Sequence, residues 1–227
     1  MKSIKTLSCL LISLLSACGG GGGGSESSGG SKESAATGVR ILHAVIDTAP
    51  VEISSSLNPG EVVTGGFFAE KTLYGELSQA EQILSVAMRT VPTEVYDTAA
   101  ITVEKNKHYS LLFFGNQATI GLRSAVINDE PGDIPAGSAA VKVVHGLVGA
   151  SQLNMSFSDG QNANGTAFGS ASEYVFVPAG LKTIIVKRAS DGLVVGNFTV
   201  ELASGAAYSV LMAGEIDFFV AARLLED

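Results

Sequence analysis

Short runs in which apolar and polar residues alternate dominate the chain after residue 38. Phe198, Val200 and Leu202 alternate with Thr199 and Glu201. Tyr208, Val210 and Met212 alternate with Ser209 and Leu211, and Ile184 and Val186 with Thr183, Ile185 and Lys187. A period of two puts successive side chains on opposite faces of an extended strand, so each run predicts a strand with one face turned to a core. Turn-forming clusters separate the runs: Asn58-Pro59-Gly60, Ser158-Asp159-Gly160, Pro178-Ala179-Gly180, Ser190-Asp191-Gly192 and Ser204-Gly205. Many short strands with turns at such intervals predict an antiparallel sandwich. Residues 78–89 are the best candidate for a helix, with a helical turn over 77–83 as the competing reading. Most of that segment reads as a strand equivalent to residues 183–188.

The pattern occurs twice. Val39-Arg40-Ile41-Leu42-His43-Ala44 returns as Val141-Lys142-Val143-Val144-His145-Gly146, and Val51-Glu52-Ile53-Ser54 as Leu153-Asn154-Met155-Ser156. Ile101-Thr102-Val103-Glu104 matches Val200-Glu201-Leu202-Ala203, and Tyr109-Ser110-Leu111-Leu112 matches Tyr208-Ser209-Val210-Leu211. A period of about 100 residues is too long for a solenoid and suits a small β-domain, so tandem domains are expected. Asp129-Glu130-Pro131-Gly132-Asp133-Ile134-Pro135-Ala136-Gly137, rich in proline and acid, divides them. Domain one is then 38–129, the linker 130–137 and domain two 138–227. Tyr208 follows Leu202 across the Ser204-Gly205 turn, and Tyr109 follows Val103 at the same spacing. That is the spacing of a tyrosine corner, where the phenol bonds back across a turn between the two sheets of a Greek-key sandwich.

The N-terminus reads as a targeting segment, residues 1–17. Lys2 and Lys5 precede an apolar run over 7–15, shorter than the ~20 residues a spanning helix needs. The run ends in Leu15-Ser16-Ala17-Cys18, which resembles the bacterial lipobox. That resemblance implies cleavage before Cys18, a diacylglyceryl group on its thiol and acylation of the new amine. Each buried CH₂ contributes about 0.8 kcal/mol, and more than one chain makes the attachment stable. Gly19 in place of Asp resembles the sorting signal for the outer membrane of Gram-negative bacteria. Residues 18–37 are the lipidated Cys and a tether that opens on six glycines. As a random coil, 19–37 spans roughly 25 Å, with a taut limit of about 60 Å. A P-loop is excluded, because no Gly-Lys-Ser/Thr follows the glycines. Cys9 leaves with the leader, so the mature chain is expected to have no free thiol and no internal disulfide.

Both domain openings resemble the bacterial domain-of-unknown-function family numbered 4397, found in secreted proteins and lipoproteins, often in tandem. Its members open with a V-R-V-x-H-A-S-P-D-A-P strand and turn. Here Val39-Arg40-Ile41-Leu42-His43-Ala44-Val45-Ile46-Asp47-Thr48-Ala49-Pro50 keeps the Asp and replaces Ser-Pro by Val45-Ile46. The second copy keeps Val141-Lys142-Val143-Val144-His145, then has Gly149 where Asp is expected. The family's Y-x-x-V-P-A-G turn is similar to Tyr174-Val175-Phe176-Val177-Pro178-Ala179-Gly180 and degenerate at Tyr74-Gly75-Glu76-Leu77-Ser78. Its L-x-x-G-x-x-Y strand entry matches both copies, with Asn106 in place of Gly205. The resemblance implies a β-sandwich and an extracytoplasmic setting, and no activity.

Composition narrows the function classes. Hydrophobic residues at 46% and charged residues at 16% argue against wholesale disorder. Lys+Arg number 14 against 22 Asp+Glu, a net charge of −8, which leaves no electrostatic footprint for nucleic acid. Loss of the leader removes two lysines and makes the body more acidic, which suits a domain held off anionic headgroups.

Candidate chemistry is sparse. His43 and His145 end apolar strand faces and are expected to cap the core, each bonding a backbone carbonyl of the next turn. His108, beside Lys107, has no counterpart in the second copy, and three scattered histidines make no zinc site. Asp129, Glu130 and Asp133 are oxygen ligands of the kind Ca²⁺ takes, but lack its loop spacing and read as a solvated linker. Ser158-Asp159-Gly160-Gln161-Asn162-Ala163-Asn164-Gly165 reads as a hairpin loop, with Gly and Asn at positive φ. Phe67-Phe68 and Phe218-Phe219 are candidates for docking a partner, with sandwich core expected for at least one of each pair. No Gly-x-Ser-x-Gly elbow and no His-Glu-x-x-His occurs.

The sequence therefore predicts an all-β chain of two tandem, small, antiparallel Greek-key β-sandwiches, immunoglobulin-like or prealbumin-like. The expected role is that of a non-catalytic cell-envelope lipoprotein, a binding, adhesion or spacer module in the outer membrane of a Gram-negative bacterium. Cys18 is its one assigned site, as the lipidation residue. No catalytic residue, metal or cofactor is assigned. The expected partners are the membrane, through the lipid, and an envelope protein or polysaccharide, with no nucleic acid. The alternative is an extracytoplasmic carbohydrate-active enzyme or accessory carbohydrate-binding module.

Overall fold

The structure is a computed structural model that describes residues 37–227. The leader, Cys18 and the glycine tether up to residue 36 lie outside the described residues. The first half contributes β1 (Gly38–His43), β2 (Val51–Ser55), β3 (Glu61–Gly66), β4 (Gly75–Glu76), β5 (Glu81–Met88), β6 (Val91–Thr102), β7 (His108–Asn116) and β8 (Gly121–Asn128). The second contributes β9 (Ser138–His145), β10 (Gln152–Phe157), β11 (Asn162–Ala167), β12 (Val175–Pro178), β13 (Gly180–Arg188), β14 (Val194–Leu202), β15 (Ala207–Glu215) and β16 (Phe219–Glu226). The described residues form no helix. Of the helix candidate 78–89, residues 81–88 form β5, paired with β2 and β6 as β13 is with β10 and β14.

Each half is a sandwich of two four-stranded sheets with the same order, β4-β1-β7-β8 over β3-β2-β5-β6 and β12-β9-β15-β16 over β11-β10-β13-β14. This differs from the ABED/CFG order of an immunoglobulin constant domain; of the two expected topologies, the eight-stranded prealbumin-like one fits. The pairing is antiparallel except where β1 meets β7, Val39 opposite Tyr109, and β9 meets β15, Val141 opposite Tyr208. Those first strands return beside a later strand of the same direction.

The alternation predicted from sequence holds in the sheets β3-β2-β5-β6 and β11-β10-β13-β14. Leu153, Met155 and Phe157 of β10 are buried and face Ile184 and Val186 of β13 in one core; Ile53, Leu84 and Val86 do the same in the other. It fails in the central strands of the other two sheets. β1, β7, β9 and β15 are buried on both faces. Val39, Ile41, Leu111 and Phe113 enter the first sandwich core. Leu42, Leu112 and Phe114 point the other way, into a third cluster with Val144, Leu211 and Ala213 of the second half. The two sandwiches are thus stacked with the β4-β1-β7-β8 sheet against the β12-β9-β15-β16 sheet. Ser209 and Leu211 share the outward face of β15, and both are fully buried there. Continuous apolar runs such as Leu111–Phe114 are what a strand covered on both faces requires.

Both tyrosine corners form. The Glu104 and Ala203 amides donate to the hydroxyls of Tyr109 and Tyr208, each at 3.1 Å. The turns that place them put Asn106 and Gly205 in the left-handed region, at φ 58° and 81°. Asn is among the few side chains that tolerate that conformation, which explains why it stands where the second half has Gly.

Candidate functional site

Arg40 and Lys142 occupy equivalent places near the starts of β1 and β9, on the faces turned toward the other half. Each half also closes on an aspartate just past its last strand. Asp129 donates its amide to His108 O at 3.0 Å, and Asp227 donates its amide to Ala207 O at 2.8 Å. These four residues meet between the sandwiches. Arg40 Nη2 lies 2.5 Å from Asp227 Oδ1, Arg40 Nε 3.3 Å from Asp129 Oδ2, and Lys142 Nζ 2.6 Å from Asp129 Oδ1. All four side chains are almost fully buried.

Hydrogen bonds complete the cluster with the same pseudo-twofold repetition. Ser110 and Ser209 donate to Oδ2 of Asp129 and Asp227 at 2.5 and 2.8 Å. Tyr74 and Tyr174 donate to the same two oxygens at 2.7 Å each. The Arg40 guanidinium lies over the Tyr74 ring at 4.9 Å, and the Lys142 ammonium over the Tyr174 ring at 4.6 Å, a favourable cation–π placement. Burial alone would raise the Asp129 carboxyl, but the Lys142 ammonium and Arg40 guanidinium outweigh it and hold Asp129 below the usual carboxylate range. Burial, then the carboxylates, pushes both phenols upward, so they stay neutral donors. Two cations thus face two carboxylates.

A cleft of about 620 Å³ opens beside this cluster, with Tyr74, His108, Glu130, Glu226 and Asp227 in its wall. His108 Nδ1 lies 3.1 Å from Glu130 Oε1, and the same oxygen accepts the His108 amide at 2.8 Å. Of the acidic run, Asp133 is exposed as read from sequence, whereas Asp129 is buried and Glu130 half-buried. Asp129 turns inward to Lys142 and Glu130 turns back to His108, so the three carboxylates do not converge as Ca²⁺ ligands. Among the described residues no group of three His, Cys, Asp or Glu is placed to hold a metal.

His43 and His145 sit fully buried at the ends of β1 and β9, as expected. His145 Nε2 lies 3.1 Å from Ala150 O, and Nδ1 accepts the Leu147 amide at 3.3 Å, which makes Nε2 the protonated nitrogen. His43 Nε2 lies 3.1 Å from Thr48 Oγ1, and the ring also has a backbone hydrogen bond at Ala49, in the next turn. Its Nδ1 has no hydrogen-bond partner among the described residues. Burial lowers both histidines to about 4 and keeps them neutral. In the loop after β10, Asp159 pairs with Lys182 at 2.9 Å. Positive φ falls on Gly160 and Gly165 and on neither Asn, and Asn162 already belongs to β11.

The aromatic pairs depart from expectation as well. Phe67 and Phe218 are exposed, and neither Phe68 nor Phe219 reaches a sandwich core. Phe68 packs on the cluster between the halves, with its ring 5.9 Å from Phe219, which stays 51% exposed. Sequence reading missed Arg40, Lys142, Ser110, Ser209 and Asp227 as a set. The usable signal was the basic residue recurring at one position inside two otherwise apolar strands.

A family model described as a domain of unknown function, DUF4397, matches residues 37–156 and again 139–227. No curated protein matches the chain. Among solved structures, the chain is similar to a Bacteroides uniformis ATCC 8492 protein provisionally described as a cell adhesion protein. The two are 8% identical over 84% of this chain and 98% of that one, with a TM-score of 0.24. A likeness that slight carries no argument about function.

Proposed function

The chain belongs to the DUF4397 family, carried in two copies, and we propose that it is a non-catalytic binding or adhesion module held to the outer membrane by an acylated Cys18. The observation that carries this reading is the fusion of the halves into one body with two distinct ends. Thr37, where the tether arrives, is bonded to the β6–β7 turn through Asn106 N at 2.8 Å. That end also holds Asp129 and Asp227. β1 runs parallel to β7, and β9 to β15, so both hairpin tips, 117–120 and 216–218, lie at the opposite end. A tethered body of this form presents its tips away from the anchor. The buried charges Arg40, Asp129, Lys142 and Asp227 are consumed in holding the halves together, which supports a scaffold over a catalyst.

Membrane fractionation and mass spectrometry test the anchor, comparing wild type with Cys18→Ser. A diacylated wild-type chain in the membrane fraction and an unlipidated variant released from it are expected. A wild-type mass without lipid overturns the anchor. A screen against envelope polysaccharides should show no hydrolysis; released oligosaccharide overturns the non-catalytic reading.

A further inference from the structure

The two halves differ at the end away from the tether. On β16, Phe219 faces the first half and lies against Phe68. Asn116 pairs with Gly121 as Glu215 pairs with Phe219, so Gly121 of β8 is the counterpart of Phe219. Phe168 is likewise the counterpart of Phe68: the next residue's amide bonds to His43 O from Ala69 and to His145 O from Gly169. One site therefore holds the Phe219 ring against Phe68; in its twin no side chain stands at Gly121, and Phe168 packs instead edge-on against Phe114, with 5.0 Å between ring centres. A Cβ at Gly121 would meet nothing within 4 Å. What remains is a groove of about 320 Å³ bounded by Ile120, Arg123, Phe168 and residues 148–151. Arg123 on its rim is exposed and makes no hydrogen bond or ion pair among the described residues.

The apolar lining of this groove, Ile120, Val148 and Phe168, suits an aromatic side chain, and Arg123 adds a preference for that ring and for a neighbouring carboxylate. The chain itself carries that combination. Phe218, at the tip of the β15–β16 hairpin, is 77% exposed, and Asp217 beside it is exposed too. The cationic neighbour of Asp217, Arg188, is already paired with Asp191 at 2.5 Å. We propose that Phe218 of one molecule docks in the Gly121 groove of a second copy of this chain, with Asp217 facing Arg123. This deepens the proposed binding role and rests on it. Knob and groove lie at the same end of the strands, so molecules standing side by side on one membrane can engage. Such a contact is heterologous: a molecule whose knob is engaged still offers its groove, and association propagates in rows. The buried area is small, and confinement to a surface raises the effective concentration that a small contact needs.

The test is chemical cross-linking of the full chain in intact cells, read as a ladder of oligomers. Wild type should give the ladder, and Phe218→Ala, Arg123→Asp and Asp217→Arg should each reduce it by about tenfold or more. The double variant R123D/D217R should regain it, because the charge pair is reversed and the knob kept. These positions are exposed, so far-UV circular dichroism should be unchanged in every variant. No ladder, a ladder indifferent to Phe218→Ala, or a double variant that stays monomeric overturns the proposal, as does a Phe218-dependent cross-link to a different protein alone. Fractionation of the same wild-type cells reports the anchor separately, so failure of one is told from failure of the other.

Discussion

Lys142 Nζ lies 2.6 Å from Asp129 Oδ1, an ion pair that crosses from the second sandwich to the end of the first. Arg40 makes the reciprocal reach to Asp227. Removing ions from water costs several kcal/mol each, so such a pair adds little net stability; it acts mainly by penalising every arrangement in which it is broken. In this molecule it ties the register of one half to the other.

Deleting one member therefore exposes the full penalty. Asp129→Ala leaves Lys142 buried without its carboxylate and Arg40 with only Asp227. A loss of about 3–5 kcal/mol is expected, read as a lowered urea midpoint. A variant within about 1 kcal/mol of wild type would mean that the cluster is solvated.

The tyrosine corners should each contribute one net hydrogen bond. Tyr208→Phe keeps the ring and orphans the Ala203 amide, a loss of about 1 kcal/mol. Tyr109→Phe should match it. Equilibrium unfolding of both variants checks the equivalence, and an unchanged midpoint would remove the corner as a stabilising device.

Acid should weaken the protein in two stages. The unfolded chain takes up its histidine protons near 6.5, while buried His43 and His145 resist until about 4. Between those values the unfolded state binds more protons, so stability falls as pH drops from 6.5 toward 4 and the histidine contribution then levels off. At about 1.4 kcal/mol per pH unit, the effect is on the order of 3 kcal/mol per histidine. Asp129, held below 3.8 by Lys142 and Arg40, adds its loss only at still lower pH. Urea titrations at stepped pH measure the slope, and His145→Gln should reduce it by about half.

Close approach of the halves offers a steric test. A Cβ on Gly146 would stand 2.3 Å from the Ala44 Cβ, so Gly146→Ala must push the sandwiches apart. Overpacking of this kind costs about 1–3 kcal/mol. The same substitution at Gly132, where a Cβ meets nothing, lacks that clash and bears only its positive φ.

The sheets built on β2–β5 and β10–β13 and the tyrosine corners were legible in the sequence because a period of two reports which residues share a face. What covers the far side of a strand is not encoded in that period. Ser209 and Ser110 looked like solvent-facing positions, and they are buried because a second sandwich lies over them. Asp129 looked like linker for the same reason: a short acidic run with proline signals a boundary, and nothing local shows a lysine waiting across it. Likewise the parallel return of β1 beside β7 joins strands too far apart in sequence for any turn motif to announce.

The gap at Gly121 opposite the ring at Phe219 shows what joining two domains in one polypeptide permits. An assembly of identical subunits must alter both of its equivalent sites with every mutation. Here a single codon change touches one site only, so the chain keeps one pocket plugged for cohesion while its mirror position is released to evolve.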